Sequence, residues 1–320
     1  MLISAYILAL GVGLALLTWS ADRFINGAAG CAASLNLSPM VAGLILVAFG
    51  TSAPEIMVST LAASSGSPAL AVGNALGSNI ANIGLVLGLT TLIAPIELKR
   101  TVLFRELPIL LITTLAGWLL LADYQLTPWD GIALLLMLAG ALAYLTWRAS
   151  AGAPADELQP PDPTELLPPA RAIQHFVTGL VILIASARLL VWSASELAII
   201  LGVDELVVGL TVVAVGTSLP ELAASLSAAL KGHHDMALGN IVGSNLFNLL
   251  AVLAMPALIN PLPLGDATVI RDYGTMAGLT ILLAAFAYSM QRKGKLARLE
   301  GGILLAAYAG YVTIVVRSAL

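Results

Sequence analysis

Charge is what this chain has least of. Only 10% of its 320 residues are Asp, Glu, Lys or Arg, against 59% hydrophobic. A soluble protein of this size cannot coat its surface with so few charges, so the ordinary soluble classes are excluded. Cysteine is almost absent: Cys31 stands alone, which rules out an intrachain disulfide. The histidines are His175, His233 and His234, all at expected connections, where water solvates them. The apolar runs thus hold no imidazole for zinc or copper. They also hold no nucleophile beside a base and no aspartate pair, which leaves an intramembrane hydrolase without machinery. Residues 1–20 lack a basic opening and a clear cleavage site, so they read as a first helix rather than a removed leader. Ala28-Ala29-Gly30-Cys31 is a poor lipid-attachment site, because Asp22 and Arg23 interrupt the apolar run before it.

What the chain does have is a succession of apolar runs of about 20 residues, each long enough to cross a bilayer. The expected spans cover residues 2–20, 37–61, 68–94, 103–122, 128–147, 173–195, 205–230, 236–260, 272–290 and 300–318. This is the pattern of an all-α polytopic membrane protein with about ten helices, multi-pass in the plasma or inner membrane and solvated by lipid. Arg23, Lys99, Arg100, Arg105, Arg148, Arg171, Lys231, Arg292, Lys293, Lys295 and Arg298 fall at odd-numbered connections. The even-numbered ones carry Asp123, Glu196, Asp204, Glu205 and Asp266, with Arg188, Arg271 and Arg317 as exceptions. The positive-inside rule then puts the odd connections in the cytoplasm and both termini outside.

The chain also contains a duplication. Gly50–Glu55 reads GTSAPE and Gly216–Glu221 reads GTSLPE, an offset of 216 − 50 = 166. With residues 43–95 set against 209–261 and no gap, 25 of 53 positions are identical. Apolar composition inflates such matches, but not the polar ones: Thr51/Thr217, Ser52/Ser218, Glu55/Glu221, Ser59/Ser225, Asn74/Asn240, Ser78/Ser244, Asn79/Asn245 and Asn82/Asn248. Each half then holds about five helices, and an odd number makes the second half enter from the opposite side, as inverted repeats do. The expected organisation is a first repeat at 1–148, a linker at 149–171 carrying six prolines and four acids, and a second repeat at 172–320.

Polar residues inside these runs are the candidate site. Pro54 and Pro220 remove a helical donor and free the carbonyls of Gly50 and Gly216, so the motifs are expected to be broken helices lining a cavity. Glu55 and Glu221 are the acids near the bilayer midplane, where acids are rare and functional. Arg188 is the one base expected inside a span and cannot serve both, which makes a bound cation the more economical partner. Thr51, Ser52, Glu55 and Ser59 lie near one helical face, as do Asn74, Ser78 and Asn82 on the next helix. The second half repeats both stripes with Thr217, Ser218, Glu221, Ser225 and Asn240, Ser244, Asn248. Asn79 and Asn245, one step off the stripe, are candidates for helix–helix glue, and Gly73, Gly77, Gly84 and Gly88 for close helix approach. Carboxylate, amide, hydroxyl and carbonyl oxygens suit a hard cation such as Ca²⁺; Na⁺ can use the same oxygens and protons can compete for the two glutamates.

At these residues the chain resembles the calcium/cation antiporter superfamily and, within it, the prokaryotic sodium/calcium exchangers. VAFGTSAPEIMVS with GNALGSNIAN, and VAVGTSLPELAAS with GNIVGSNLFN, are similar to that family's two alpha repeats. The resemblance implies that Glu55 and Glu221 bind Ca²⁺ and share Na⁺, that Thr51, Ser52, Thr217, Ser218, Ser78 and Ser244 help form sodium sites, and that the carbonyls of Ala48 and Ala214 contribute. Asn82 and Asn248 occupy positions where some relatives carry aspartate; asparagine at 248 argues against K⁺ coupling and removes a proton-binding acid. The implied activity is electrogenic exchange of three Na⁺ for one Ca²⁺ by alternating access, with the first helix of each half sliding. The resemblance brings no cofactor, no enzymatic activity, no nucleic acid and no obligate protein partner. A Ca²⁺/H⁺ antiporter of the same superfamily is the nearest alternative. A cation channel is a more distant one, since the inverted repeat suits alternating access better.

Overall fold

A computed structural model describes residues 2–35, 37–98, 102–150, 167–202, 214–289 and 294–319. Most of the proline-rich linker, the first part of the span expected at 205–230, and Lys99, Arg100, Arg292 and Lys293 lie outside the described residues. Apart from short two-stranded bridges, the rest is helical: α1 (Leu2–Ser34), α2 (Pro39–Ser64), α3 (Pro68–Ile93), α4 (Leu107–Leu120), α5 (Pro128–Ser150), α6 (Pro169–Ile200), α7 (Leu219–Leu230), α8 (His234–Ile259), α9 (Ala267–Ser289) and α10 (Arg298–Ala319). All but α4 and α7 are long and apolar enough to span a membrane, which gives eight candidate spans among the described residues. A short helix, Ala214–Thr217, precedes α7.

α1 runs past the expected end at residue 20, straight through Asp22 and Arg23. Both charges have partners on other helices, which removes the reason to stop. Asp22 accepts a hydrogen bond from Ser227 Oγ on α7 and lies 3.6 Å from Nζ of Lys231, the residue that caps that helix. Arg23 Nε donates to Thr178 Oγ1 on α6 at 3.0 Å, and the guanidinium stacks 5.3 Å from the Trp19 ring. His175, expected at a connection, instead lies inside α6, because that helix starts at Pro169.

The motif-bearing helices form the centre. In the most apolar stretch of α8, 89% of residues are buried, and in α3 72%, against 17% in each of α1, α5 and α10. The outer helices turn Leu8, Leu14, Leu119 and Leu136 outward, as side chains facing lipid should. α1 and α6 pack along one another: a Cβ on Gly13 would touch Leu190 Cγ at 2.9 Å, and one on Gly179 would stand 2.5 Å from Phe24 N.

That last pair repeats the sequence offset, since 13 + 166 = 179 and 24 + 166 = 190. The same offset recurs elsewhere. π-helical turns occur at Asn82–Leu87 and Asn248–Val252, and again at Val102–Glu106 and Ala267–Tyr273. Gly66 (φ +85°) and Gly232 (φ +77°) make the left-handed turns before α3 and α8, where a Cβ would be strained. Two antiparallel bridges join one half to the other: β1 (Ile96–Glu97) with β4 (Lys295–Leu296), and β2 (Gln125–Leu126) with β3 (Leu262–Pro263).

Tyr273 anchors α9 to α4. Its ring is fully buried and its hydroxyl donates to the Thr114 carbonyl at 2.7 Å. Tyr273→Phe removes this bond, which the Thr114 carbonyl accepts beside its helical one, and is expected to destabilise the fold by about 1 kcal/mol. A thermal midpoint in detergent indistinguishable from the parent would contradict this.

Candidate cation site

Glu55 lies on α2 and Glu221 on α7, with 2% and 1% of their surfaces exposed. Around them Thr51, Ser52, Ser78, Asn82, Ser218, Ser244, Asn248 and Ala48 are all buried. Thr217 is half-buried, and Ala214 opens the short helix before α7. Every predicted site residue therefore falls on the central elements, and the two halves interlock. Thr51 Oγ1 donates to Asn240 Oδ1 on α8 at 3.2 Å and lies 3.4 Å from Ser244 Oγ. Ser52 Oγ donates to Glu221 Oε1 at 3.5 Å.

Local backbone geometry departs from the proline expectation. The helix is continuous through Pro54, from Ala48 to Ser64, and its widening lies one turn earlier, in a π-helical stretch at Ala42–Val47. In the second half the helix does break, at Ser218 (φ −90°, ψ 6°), so Pro220 sits in the first turn of α7, where its missing N–H costs nothing. The difference is physical. The break at Ser218 falls within the turn that Pro220 would clash with, whereas the π-helical stretch of the first half ends before Gly50 and Pro54 is carried inside the α-helix.

Asn74 and Asn240, expected in the ligand stripe, do something else. Asn74 Nδ2 donates to the Glu55 carbonyl at 3.2 Å and to Ser59 Oγ at 2.9 Å. Asn240 Nδ2 donates to the Glu221 carbonyl at 3.4 Å and to Ser225 Oγ at 2.8 Å. Each asparagine thus clamps its helix to the one carrying the glutamate, by the same pair of bonds. The signal was present in the sequence as a Ser–Asn separation of 15 in both halves, 74 − 59 and 240 − 225. Of the off-stripe residues, Asn79 Nδ2 does reach across, to Met276 Sδ at 3.2 Å, whereas Asn245 Nδ2 bonds within its own helix to the Ile241 carbonyl at 2.7 Å.

The remaining buried polar atoms are the informative ones. Neither carboxylate oxygen of Glu55 has a hydrogen-bond partner, nor does Glu221 Oε2, Ser218 Oγ, or either amide atom of Asn82 and Asn248. A buried unpartnered neutral group costs about 1–3 kcal/mol, and a charged one more. Two carboxylates and two amides left open together form a site shaped for something that offers positive charge and accepts oxygen ligands. Arg188 does not close the site: its side chain is exposed on α6 and neither Glu55 oxygen is hydrogen-bonded to it. No cluster of three His, Cys, Asp or Glu occurs among the described residues, so the ligand set is hydroxyl and amide oxygen around a carboxylate pair. Hard cations prefer such oxygens.

Spanning helices around a buried, carboxylate-centred oxygen site define a multi-pass membrane transporter of cations. The chain belongs to the sodium/calcium exchanger protein family, whose pattern matches residues 5–147 and 171–317. This is a family of secondary transporters, antiporters rather than enzymes. The chain is 47% identical over 311 residues to CaxA of Alkalimonas amylolytica, covering 94% of this chain and 95% of that one. It is 28% identical over 352 residues to the sodium/calcium exchanger MaX1 of Methanosarcina acetivorans, covering 98% and 99%. Its fold superposes on the solved sodium-calcium exchanger NCX_Mj with a TM-score of 0.82 and 31% identity, covering 98% of this chain and 99% of that one.

Proposed function

We propose that this protein is an alternating-access antiporter that exchanges Na⁺ for Ca²⁺. The observation that carries the reading is the set of buried, unpartnered oxygens on Glu55, Glu221, Asn82 and Asn248. The named activities of MaX1 and NCX_Mj point the same way. Glu55 and Glu221 are the central ligands. Thr51, Ser52, Thr217, Ser218, Ser78 and Ser244 supply hydroxyls, Asn82 and Asn248 amide oxygens, and Ala48 and Ala214 backbone carbonyls.

Charge arithmetic supports electrogenic exchange. At the three-for-one stoichiometry that the family resemblance implies, two carboxylates are neutralised by one Ca²⁺ whereas three Na⁺ leave a net positive charge, so one cycle moves charge across the membrane. Neutral Asn82 and Asn248 add no further acid to hold K⁺ or a proton, which is why the exchange is read as K⁺-independent. The architecture proposed is about ten helices in inverted repeats, 1–148 and 172–320, joined by a cytoplasmic linker at 149–171, with both termini outside. The recurrence of the glycine turns, the π-helical turns at Asn82 and Asn248 and the asparagine clamps at the 166-residue offset supports that symmetry.

The test is ⁴⁵Ca²⁺ uptake into proteoliposomes loaded with Na⁺ and diluted into Na⁺-free buffer at equal pH, against K⁺-loaded vesicles. Uptake that needs internal Na⁺ and accelerates when the potential favours outward positive charge is the expected result. Uptake driven by a pH gradient and indifferent to Na⁺ would replace this reading with Ca²⁺/H⁺ exchange. Uptake that neither saturates nor needs a counter-ion would mean a channel.

A further inference from the structure

We infer that Asn240, which touches no transported ion, is a positioning residue that keeps the hydroxyl of Thr51 and the carbonyl of Ala48 available to the cation. The inference rests on the exchange reading above and goes beyond its ligand set.

The orientation of the Asn240 amide follows from its neighbours. One end lies 3.4 Å from the Glu221 carbonyl oxygen and 2.8 Å from Ser225 Oγ. A carbonyl oxygen only accepts, so the amide nitrogen must face it. The amide oxygen then faces Thr51 Oγ1, at 3.2 Å. It too can only accept, so Thr51 gives it the single hydroxyl proton. A hydroxyl that has given away its proton presents its lone pairs elsewhere, which is the polarity a cation needs.

Thr51 has a competing acceptor. Its Oγ1 lies 3.4 Å from the Ala48 carbonyl one turn back on α2, the ordinary resting place of a helical threonine hydroxyl. Without Asn240 the proton turns to the acceptors left at 3.4 Å, the Ala48 carbonyl and Ser244 Oγ. A bond to Ala48 would occupy that carbonyl and swing the lone pairs of Thr51 away from the direction that Asn240 fixes. Asn240 prevents it, and its other end holds the backbone of Glu221 to α8. One side chain therefore links the hydroxyl half-site of the first repeat to the carboxylate half-site of the second. Asn240 is 1% exposed, so water does not share this duty.

The test is a double-mutant cycle of Asn240→Leu and Thr51→Val, read as half-saturating Na⁺ in the exchange assay, with detergent thermal midpoints to establish folding. Asn240→Leu is expected to raise half-saturating Na⁺ about tenfold, the effect of one lost ligand interaction. On the Thr51→Val background Asn240→Leu should cost far less than it costs the parent, because the part of its effect that runs through Thr51 has nothing left to act on and only the hold on Glu221 remains. Effects that multiply, or an Asn240→Leu protein with unchanged Na⁺ dependence, would overturn the inference. If Asn240→Leu does not fold, Ser225→Ala takes its place, loosening the amide by one bond without emptying the site; a smaller rise that shrinks on the Thr51→Val background is then required. Exchange by the parent protein that ignores Na⁺ would instead overturn the functional reading. The same cycle read on half-saturating Ca²⁺ would still decide the role of Asn240.

Discussion

Glu221→Gln should reduce Na⁺-dependent Ca²⁺ uptake by about a hundredfold or more, and Glu55→Gln should do the same. Removing one partner from a buried charge pair costs about 3–5 kcal/mol, which corresponds to a factor of a hundred to several thousand in affinity. The substitution is isosteric, so it removes charge and little else. It should also leave the ion-free protein as stable as the parent or more so. A buried carboxylate whose oxygens lack partners, as both do in Glu55 and one does in Glu221, is a burden without its cation. Two readouts therefore separate site from scaffold. The Ca²⁺-induced rise in thermal midpoint should vanish while the midpoint without Ca²⁺ holds or climbs. Uptake within about threefold of the parent in either variant, far short of the loss expected for a buried charge, would remove that glutamate from the site.

Much of this was legible in the sequence because two independent signals agree there. Composition and run length demand spanning helices, and the GTS-x-PE and GN-x-x-GSN segments recur in order at one offset. The four polar-bearing segments are the ones the fold buries most deeply. What could not be read depends on partners far away in the chain. α1 continues through Asp22 and Arg23 because Ser227, Lys231 and Thr178 receive them, and no local pattern reveals that. Helical spacing places Asn74 and Asn240 on the stripe with Ser78 and Ser244, but it does not tell which atom of an amide is already committed. Asn240 spends both ends on protein; only the bonds in the fold distinguish a clamp from a ligand. The π-helical turns that begin at Asn82 and Asn248 were equally hidden, because one residue of widening barely changes a hydrophobic period. The proline rule located the break in the second half but not in the first, where the α-helix runs on through Pro54.

The glycines show the same limit and lead to the second large effect. Gly84 and Gly88 do allow close approach, to Tyr308 and to the Gly301 backbone. Gly73 and Gly77 meet no described residue within 4 Å of an added Cβ. Their counterparts at the 166-residue offset, Gly239 and Gly243, are tightly packed. A Cβ on Gly239 would stand 2.5 Å from the Met40 carbonyl oxygen, and one on Gly243 would stand 2.4 Å from that of Leu44. Facing them, a Cβ on Gly43 would stand 2.3 Å from the Met236 carbonyl oxygen. Backbone atoms cannot rotate aside as a side chain would, so a single methyl must push α2 and α8 apart. That seam sets the site, because Asn240 and Ser244 each directly follow one of these glycines and both meet Thr51. Gly243→Ala is therefore expected to destabilise the protein by about 1–3 kcal/mol or more, despite the helix propensity that alanine adds. Opening Thr51 from Ser244 should also cut exchange by about tenfold, in line with one lost interaction. Gly140→Ala, on an exposed face with nothing within 4 Å, supplies the contrast: stability equal to or slightly above the parent and exchange unchanged. If Gly243→Ala matches Gly140→Ala in both thermal midpoint and uptake, the two helices are not held at contact distance by these glycines, and the bonds from Thr51 across to α8 must be maintained by other contacts.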